Sequence, residues 1–424
     1  MCVRLRHICV TAGLLAALAT MAVLGGARPV QARPIALGVN TADATANGGR
    51  ELDAFKARVG RSPASVMWYQ TWSEPLFYSS QMAEVDKRGS VPIITWEPVE
   101  ASGGVPLRQI ASGARDDYLR EAARAARAWG KPFFVRFAHE MNGGWYSWGR
   151  RGRNRPADYV RAWRHVVHLF RQEGATNVRW VWSPNVTGYG VARFERFYPG
   201  DRWVDWVGLD GYNWGSHKSS GWRSFRDVFY RSYRRLVDTT AKPVMIAETG
   251  SPEQGGNKAA WIRSGLRRDI PRLMPRVRAM VWFDREKEAD WRVNSSTASL
   301  GAFRGAVLSR RFALSGKQLS AIHSLPSHPT FALRAVRHGR SVQIRVRVRG
   351  AGWKQWRPTL LVTQGRGKAL RVRPAHGSWI GALPRVGCNH LTVRVVIRGA
   401  TRSVLLTTGT HRVRIQQGRG ASRR

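Results

Sequence analysis

The chain is short of cysteine. It has three among 424 residues, and two of them, Cys2 and Cys9, lie near its start. Only Cys388 remains for the body of the protein. One thiol closes no internal disulfide and makes no metal site, so Cys388 reads as a buried apolar residue rather than a reactive one. Long apolar runs are equally scarce. Ile8 to Leu24 is short for a membrane span and is interrupted by Thr11, Gly13 and Thr20. With Arg4, Arg6 and His7 before it and Val30-Gln31-Ala32 after it, residues 1–32 read as a secretory signal peptide, with an uncleaved anchor as the alternative. No later stretch is long and apolar enough to cross a bilayer, so the mature chain is expected to be soluble, either extracellular or periplasmic.

Acid is the third absence. The last 134 residues, after Asp290, contain no Asp or Glu, while arginines continue to Arg424. Across the chain 70 Lys and Arg face 27 Asp and Glu, a net charge of +43. Any catalytic acid must therefore lie in the first two thirds. A genome rich in arginine codons would explain Arg outnumbering Lys, but not the missing acids. A polyanionic partner would: an acidic glycan, an envelope surface or nucleic acid.

What the sequence does contain is a repeated alternation. Eight short apolar runs recur: 35–40, 65–70, 91–96, 133–139, 178–183, 204–210, 243–248 and 277–283. Several are nearly continuous in apolar residues, as strands buried on both faces should be. Amphipathic stretches separate them, with stripes at Tyr159, Val160, Trp163, Val167 and Phe170 and at Phe225, Val228, Phe229 and Leu236. Eight strands with helical crossovers over about 250 residues predict an α/β fold, a (β/α)8 TIM barrel over 33–323. A doubly wound sheet is the alternative, but no glycine-rich phosphate loop follows the first run. Ser324 to Pro329 reads as a linker. Beyond it Val342 to Arg349 alternates strictly between apolar residues and polar or arginine residues. Period two predicts a small all-β, sandwich-like accessory domain over 330–417, and its charge makes a polyanion the expected ligand. Residues 418–424 read as a disordered basic tail.

In such a barrel the C-terminal strand ends carry the chemistry. Here they supply Glu97, the run His139-Glu140-Met141-Asn142-Gly143-Gly144-Trp145 with Trp148, Asp210-Gly211-Tyr212-Asn213-Trp214, Glu248-Thr249-Gly250, and Trp282-Phe283-Asp284. Acids, amides and tryptophans at one rim suit a sugar. Two glutamates from strands four and seven can flank one glycosidic bond, about 5–5.5 Å apart for retention or 6.5–9.5 Å for inversion. A zinc protease motif would need a second His at position 143, which is Gly. No metal and no cofactor are expected.

These motifs resemble glycoside hydrolase family 26, which includes β-mannanases and some β-glucanases. The segment from His139 to Trp145, with Trp148-Gly149, looks like the family's acid/base segment. Related barrel families mostly place Asn before this Glu. Ile246-Ala247-Glu248-Thr249-Gly250 looks like its nucleophile strand, and Tyr212 matches the tyrosine that hydrogen-bonds the nucleophile. Trp182-Ser183-Pro184-Asn185 and Ile94-Thr95-Trp96-Glu97-Pro98 also fit. The resemblance spans roughly 35–284 and implies a secreted retaining endo-glycosidase of β-mannan or a related β-glycan. Glu140 would be the acid/base, Glu248 the nucleophile and His139 a sugar ligand in the cleaved subsite.

Plainer readings stand beside these. Glu140 could pair with Arg136 as a structural acid. Glu97 and Asp210 fit organising roles better than catalysis. Trp145, Trp148, Trp214 and Trp282 are candidate sugar platforms, and Asn142, Tyr212 and Glu97 candidate substrate contacts. A non-catalytic polysaccharide-binding scaffold and an envelope transglycosylase are the competing functions. Nucleic-acid binding fits poorly with export.

Overall fold

The computed structural model describes residues 33–322, apart from 150–153 and 189–190, and nine strands between 330 and 417. The stretches read from sequence as a signal peptide (1–32), a linker (324–329) and a basic tail (418–424), and Cys388, lie outside the described residues.

Eight parallel strands close a barrel: β1 (Ala36–Asn40), β2 (Ser65–Thr71), β3 (Val91–Glu97), β4 (Phe133–Phe137), β5 (Val178–Trp182), β6 (Trp206–Tyr212), β7 (Val244–Gly250) and β8 (Val277–Phe283). Each pairs with its sequence neighbour, and β8 pairs with β1. The apolar runs marked them because helices cover the sheet outside and side chains fill it inside, which leaves no polar face. Helix Asp116–Trp129 turns Leu119, Ala122, Ala123 and Ala126 onto the sheet and ends at Gly130, whose φ of 71° is the left-handed conformation glycine adopts without strain. Helix Phe225–Thr239 begins at Ser224, whose hydroxyl accepts from the Asp227 amide. One connection breaks the pattern. Between β5 and β6 the described residues form only two short 3-10 turns, Phe194–Phe197 and Asp201–Trp203.

Strand alternation sorts the buried side chains into two layers. Leu37, Val39, Ile94, Val135, Ile246, Met280 and Trp282 face outward to the helices. Met67, Ile93, Phe134, Val181, Trp206, Met245 and Val281 face inward and fill the lower barrel. Helix Gly316–Ser320 contributes Leu319 to this inner cluster. A Cβ on Gly316 would lie 2.9 Å from the Ala64 carbonyl and 2.3 Å from that of Gly89, both just before strands, so the helix closes the barrel's N-terminal end. Higher up, Thr95, Arg136, Ser183 and Asp210 replace the apolar fill. All four side chains are fully buried. Gly208 makes room for them: a Cβ there would meet Ser183 Oγ at 2.3 Å.

The described residues of the C-terminal region lie in β-strands. Its strands are β9 (Thr330–His338), β10 (Ser341–Arg349), β11 (Arg357–Thr363), β12 (Lys368–Leu370), β13 (Arg373–Ala375), β14 (Ser378–Leu383), β15 (His390–Arg398), β16 (Val404–Thr407) and β17 (His411–Gln417). They join in one hydrogen-bonded path, β12-β11-β15-β17-β9-β10-β14-β13, with β16 beside β15. Every pairing is antiparallel except β9 with β17. Val342 and Ile344 are buried and Gln343 between them is not, and Ala335 lies buried opposite Ile344. That is the period-two pattern read from the sequence.

Candidate active site

The site is built where two strands depart from regular geometry. After β4, Ala138 and Glu140 have φ of 44° and 50° on either side of His139. Such left-handed values cost a non-glycine residue about 1–3 kcal/mol and persist only when neighbours enforce them. Here the Ala138 amide donates to the Trp96 carbonyl at 3.0 Å and the Glu140 amide to that of Ser183 at 2.8 Å. In β7 the register with β6 slips, so that Leu209 pairs Ile246 but Asp210 pairs Glu248. The extra residue is Ala247, which faces inward like Met245 before it. Strict alternation would have aimed Glu248 at the helices with Ile246. The bulge re-aims it into the barrel.

Glu248 is 5% exposed. Its Oε1 accepts from Tyr69 Oη at 2.7 Å and from an Arg136 terminal nitrogen at 2.9 Å, and its Oε2 accepts from Tyr212 Oη at 2.8 Å. Burial alone would raise its pKa. Arg136, together with the two phenol donors, brings it below the ordinary carboxylate value instead. Arg136 also grips Asp210 at 2.7 Å, and both of those side chains are fully buried. The pairing of Arg136 with Glu140 considered from sequence is thus replaced by pairing with Glu248 and Asp210. Burial and the nearby Glu248 and Glu140 charges push Asp210 well above its ordinary value, which Arg136 only partly opposes.

Glu140 is 7% exposed. Its Oε1 accepts from Asn185 Nδ2 at 2.5 Å and its Oε2 from Trp145 Nε1 at 2.6 Å. No cation pairs with it, and burial followed by the charge of Glu248 raises it to about 7. Glu97, at the end of β3, is raised to about 7 by the same two causes. His139 is 1% exposed, with Nε2 3.1 Å from Tyr146 Oη and 4.0 Å from Glu248 Oε1. Burial and Arg136 lower it to about 3, so its ring is neutral near neutral pH.

The other expected site residues divide into two groups. Tyr212 and Glu97 reach the mouth, half-buried, as do Trp214 and the 43% exposed Trp145. Lys218 Nζ caps the Trp214 ring, 3.2 Å from its centroid. Three residues are corrected. Trp282 is fully buried, facing the helices from the outward phase of β8, with Nε1 donating to the Trp291 carbonyl. Trp148 is 1% exposed and stacks on Tyr146 at 4.3 Å, with Nε1 bound to the His139 carbonyl. Neither can be a sugar platform. Asn142 is fully buried and ties down the loop after β5, donating to the Asn185 carbonyl at 2.9 Å and accepting from its amide at 2.9 Å. Asp284 is structural, accepting from Arg58 and the Val293 amide.

Sequence reasoning gave no site role to Tyr69, Tyr146 or Asn185, and none at Glu248 to Arg136. Tyr69 lies on the inward phase of β2, two residues above Met67. Asn185 ends the segment Trp182-Ser183-Pro184-Asn185, and only its contact with Glu140, 45 residues away, shows what it does.

Fold and site together define a (β/α)8 barrel with two carboxyls held in unlike environments at its C-terminal mouth. Residues 107–248 match the model for glycosyl hydrolase family 26, a span that includes Glu140 and ends on Glu248. This segment of the chain is similar to that family. It is 40% identical over 263 residues to Endoglucanase H of Acetivibrio thermocellus, covering 60% of this chain and 29% of that protein. It is 37% identical over 121 residues to mannan endo-1,4-beta-mannosidase A and B of Caldalkalibacillus mannanilyticus, covering 27% of this chain and 21% of that one. The chain thus spans less than a third of the length of either relative. Among solved structures, the modular endo-beta-1,4-mannanase of Cellulomonas fimi superposes with a TM-score of 0.52 at 18% identity, over 91% of this chain and 94% of that one. That likeness concerns the fold.

Proposed function

We propose that the chain is a retaining β-glycoside hydrolase acting within a polysaccharide by double displacement. The observation that carries this is the unlike setting of two buried glutamates at one mouth: Glu248 is held by Arg136, Tyr69 and Tyr212, Glu140 by the neutral donors Asn185 and Trp145, and their proton affinities are pushed apart accordingly. A general acid must hold a proton near neutral pH while its partner stays ionised.

In the first step Glu248 Oε2 or Oε1 attacks the anomeric carbon. The bond to the leaving oxygen breaks as that oxygen takes the Glu140 proton. A covalent glycosyl-enzyme results, and the leaving sugar departs. In the second step Glu140, now a carboxylate, takes a proton from water. The water oxygen attacks the anomeric carbon, and Glu248 leaves as a carboxylate that Arg136, Tyr69 and Tyr212 stabilise. His139 holds Tyr146 as a neutral ring and adds no second positive charge beside Arg136. Trp145 and Trp214 serve as sugar platforms, with Glu97 as a hydroxyl acceptor.

The family and the Endoglucanase H and mannosidase relatives support a β-linked mannan or glucan backbone. Residues 1–32 support export, and among the described residues no helix is long and apolar enough to cross a membrane. The acid-free residues 330–417 support polyanion binding by the sandwich-like domain. Time-resolved NMR of the products tests the reaction. The first-formed anomer keeps the β configuration on this reading; an α product or no turnover on mannan, mixed-linkage glucan and acidic exopolysaccharide overturns it.

A further inference from the structure

Past Asn185 the chain runs along one wall of a cavity of about 580 Å³, within the size range of ligand sites. Thr187, Gly188, Val191, Ala192 and Arg193 form this wall; Ser220, Trp222 and Arg223 after β6, and the first turns of helix Phe225–Thr239, form the other. Asn185, Thr187 and Ala192 on this side are each anchored. Asn142 binds Asn185 through both its oxygen and its nitrogen, the Ala192 amide donates to the Asn142 carbonyl at 2.9 Å, and the Thr187 amide donates to Ser232 Oγ at 2.8 Å.

Four arginines line the cavity: Arg193, Arg223, Arg231 and Arg235. Glu195 holds Arg235 through two bonds of 2.6 Å. Arg223 donates to the Asp227 backbone carbonyl, and Asp227 is the one carboxylate in the lining. Arg193 and Arg231 make no hydrogen bond or ion pair among the described residues. Elsewhere on the barrel Arg58, Arg88, Arg115, Arg120 and Arg136 are each paired with a carboxylate. Others, such as Arg50, Arg263, Arg267 and Arg272, have no ion pair among the described residues, so what marks Arg193 and Arg231 is that they share one concavity. Like charges placed together repel unless an anion joins them. The loop carrying Ser220 to Arg223 also carries Lys218, whose charge interacts with that of Glu140.

We propose that this cavity is a subsite for an anionic sugar, a uronic acid whose carboxylate is received by Arg193 and Arg231. It rests on the glycosidase reading for its position: Glu140 protonates the leaving oxygen, so a subsite reached through Asn185 lies on the leaving-group side. Guanidinium forks match carboxylates through paired hydrogen bonds, which makes this lining suited to that group. The substrate would then be a β-glycan with acidic residues rather than a neutral mannan.

The test uses the full chain. A β-linked tetrasaccharide containing one glucuronic acid is titrated calorimetrically beside the same oligosaccharide with its carboxyl reduced to an alcohol. Both are measured in a Glu248→Gln background and in that background carrying Arg193→Ala and Arg231→Ala. The acidic form should bind the parent about tenfold more tightly than the reduced form, as a charge-assisted bidentate contact gives, and high salt should shrink the difference. The arginine variant should lose the preference while keeping its affinity for the reduced form. Equal binding of both forms by the parent overturns the proposal. So does a preference that survives in the variant, which would place it in residues 330–417. Turnover of the reduced oligosaccharide by the chain with Glu248 intact is read separately, so a failed glycosidase reading is distinguished from a failed subsite.

Discussion

Glu140 and Glu248 are the same residue type with nearly the same exposure, 7% and 5%, yet their surroundings push them apart. Around Glu248 a buried guanidinium and two phenols favour the charged form. The groups hydrogen-bonded to Glu140, Asn185 and Trp145, are neutral, and the negative charge of Glu248 outweighs the more distant cation Arg136. Burial does most to keep Glu140 protonated, and the neighbouring carboxylate adds to it because little water screens its charge. The difference between the corners, rather than the identity of either residue, is what suits them to the separate roles proposed for them.

The largest way to break the comparison is to remove one side. Glu248→Ala should lower kcat by about four orders of magnitude or more, as loss of a nucleophile does. Glu140→Gln should lower it by about two to four orders on sugar leaving groups, and less on aryl glycosides that need no proton. Equal losses on both substrate types would contradict the acid role. The pH profile sharpens the same point. Because Glu140 is raised to about 7 from an ordinary 4.5, its proton and the activity that needs it are lost as pH rises through about 7. Its contribution to stability has the same sign: fully present below 4.5 and lost as pH rises toward 7. In Glu140→Gln the alkaline limb should vanish.

Arg136→Met attacks the charged corner. It leaves Glu248 and Asp210 without their cation, so the acid limb of kcat/KM should move to higher pH and unfolding should cost about 3–5 kcal/mol less. An unmoved acid limb would mean that Arg136 does not set the state of Glu248. Tyr212→Phe removes one hydrogen bond to a charged group, about 1.5–3 kcal/mol, and should lower kcat by about tenfold to a hundredfold with KM little changed. The smallest effect separates two tryptophans. Trp145→Ala should raise KM severalfold. Trp282→Ala should leave KM alone and cost about 3–5 kcal/mol of stability, seen in denaturant titration.

These pairs also show what the sequence makes legible. The barrel strands are readable because burial on both faces forces continuous apolar runs, and the observed strand ends lie close to those runs. The two glutamates are readable because strand ends collect the polar residues that the core rejects. Trp282 could have been excluded by alternation alone: Val281 and Phe283 face inward, so the residue between them faces the helices. Trp148 could not, since only its stack on Tyr146 buries it. The aim of Glu248 was illegible for a different reason. A bulge inserts one residue, Ala247, without a local sequence signal. Arg136 reaches Glu248 over 112 positions, and no local pattern encodes that contact.

Trapping the covalent intermediate tests the central claim most directly. The enzyme is incubated with a 2-deoxy-2-fluoro β-glycoside carrying an activated leaving group, then digested and sequenced by mass spectrometry. The glycosyl mass should appear on the peptide containing Glu248, and Glu248→Ala should take up none. A label on Glu140 or Glu97, or inactivation without any covalent adduct, would contradict the assignment of the two corners.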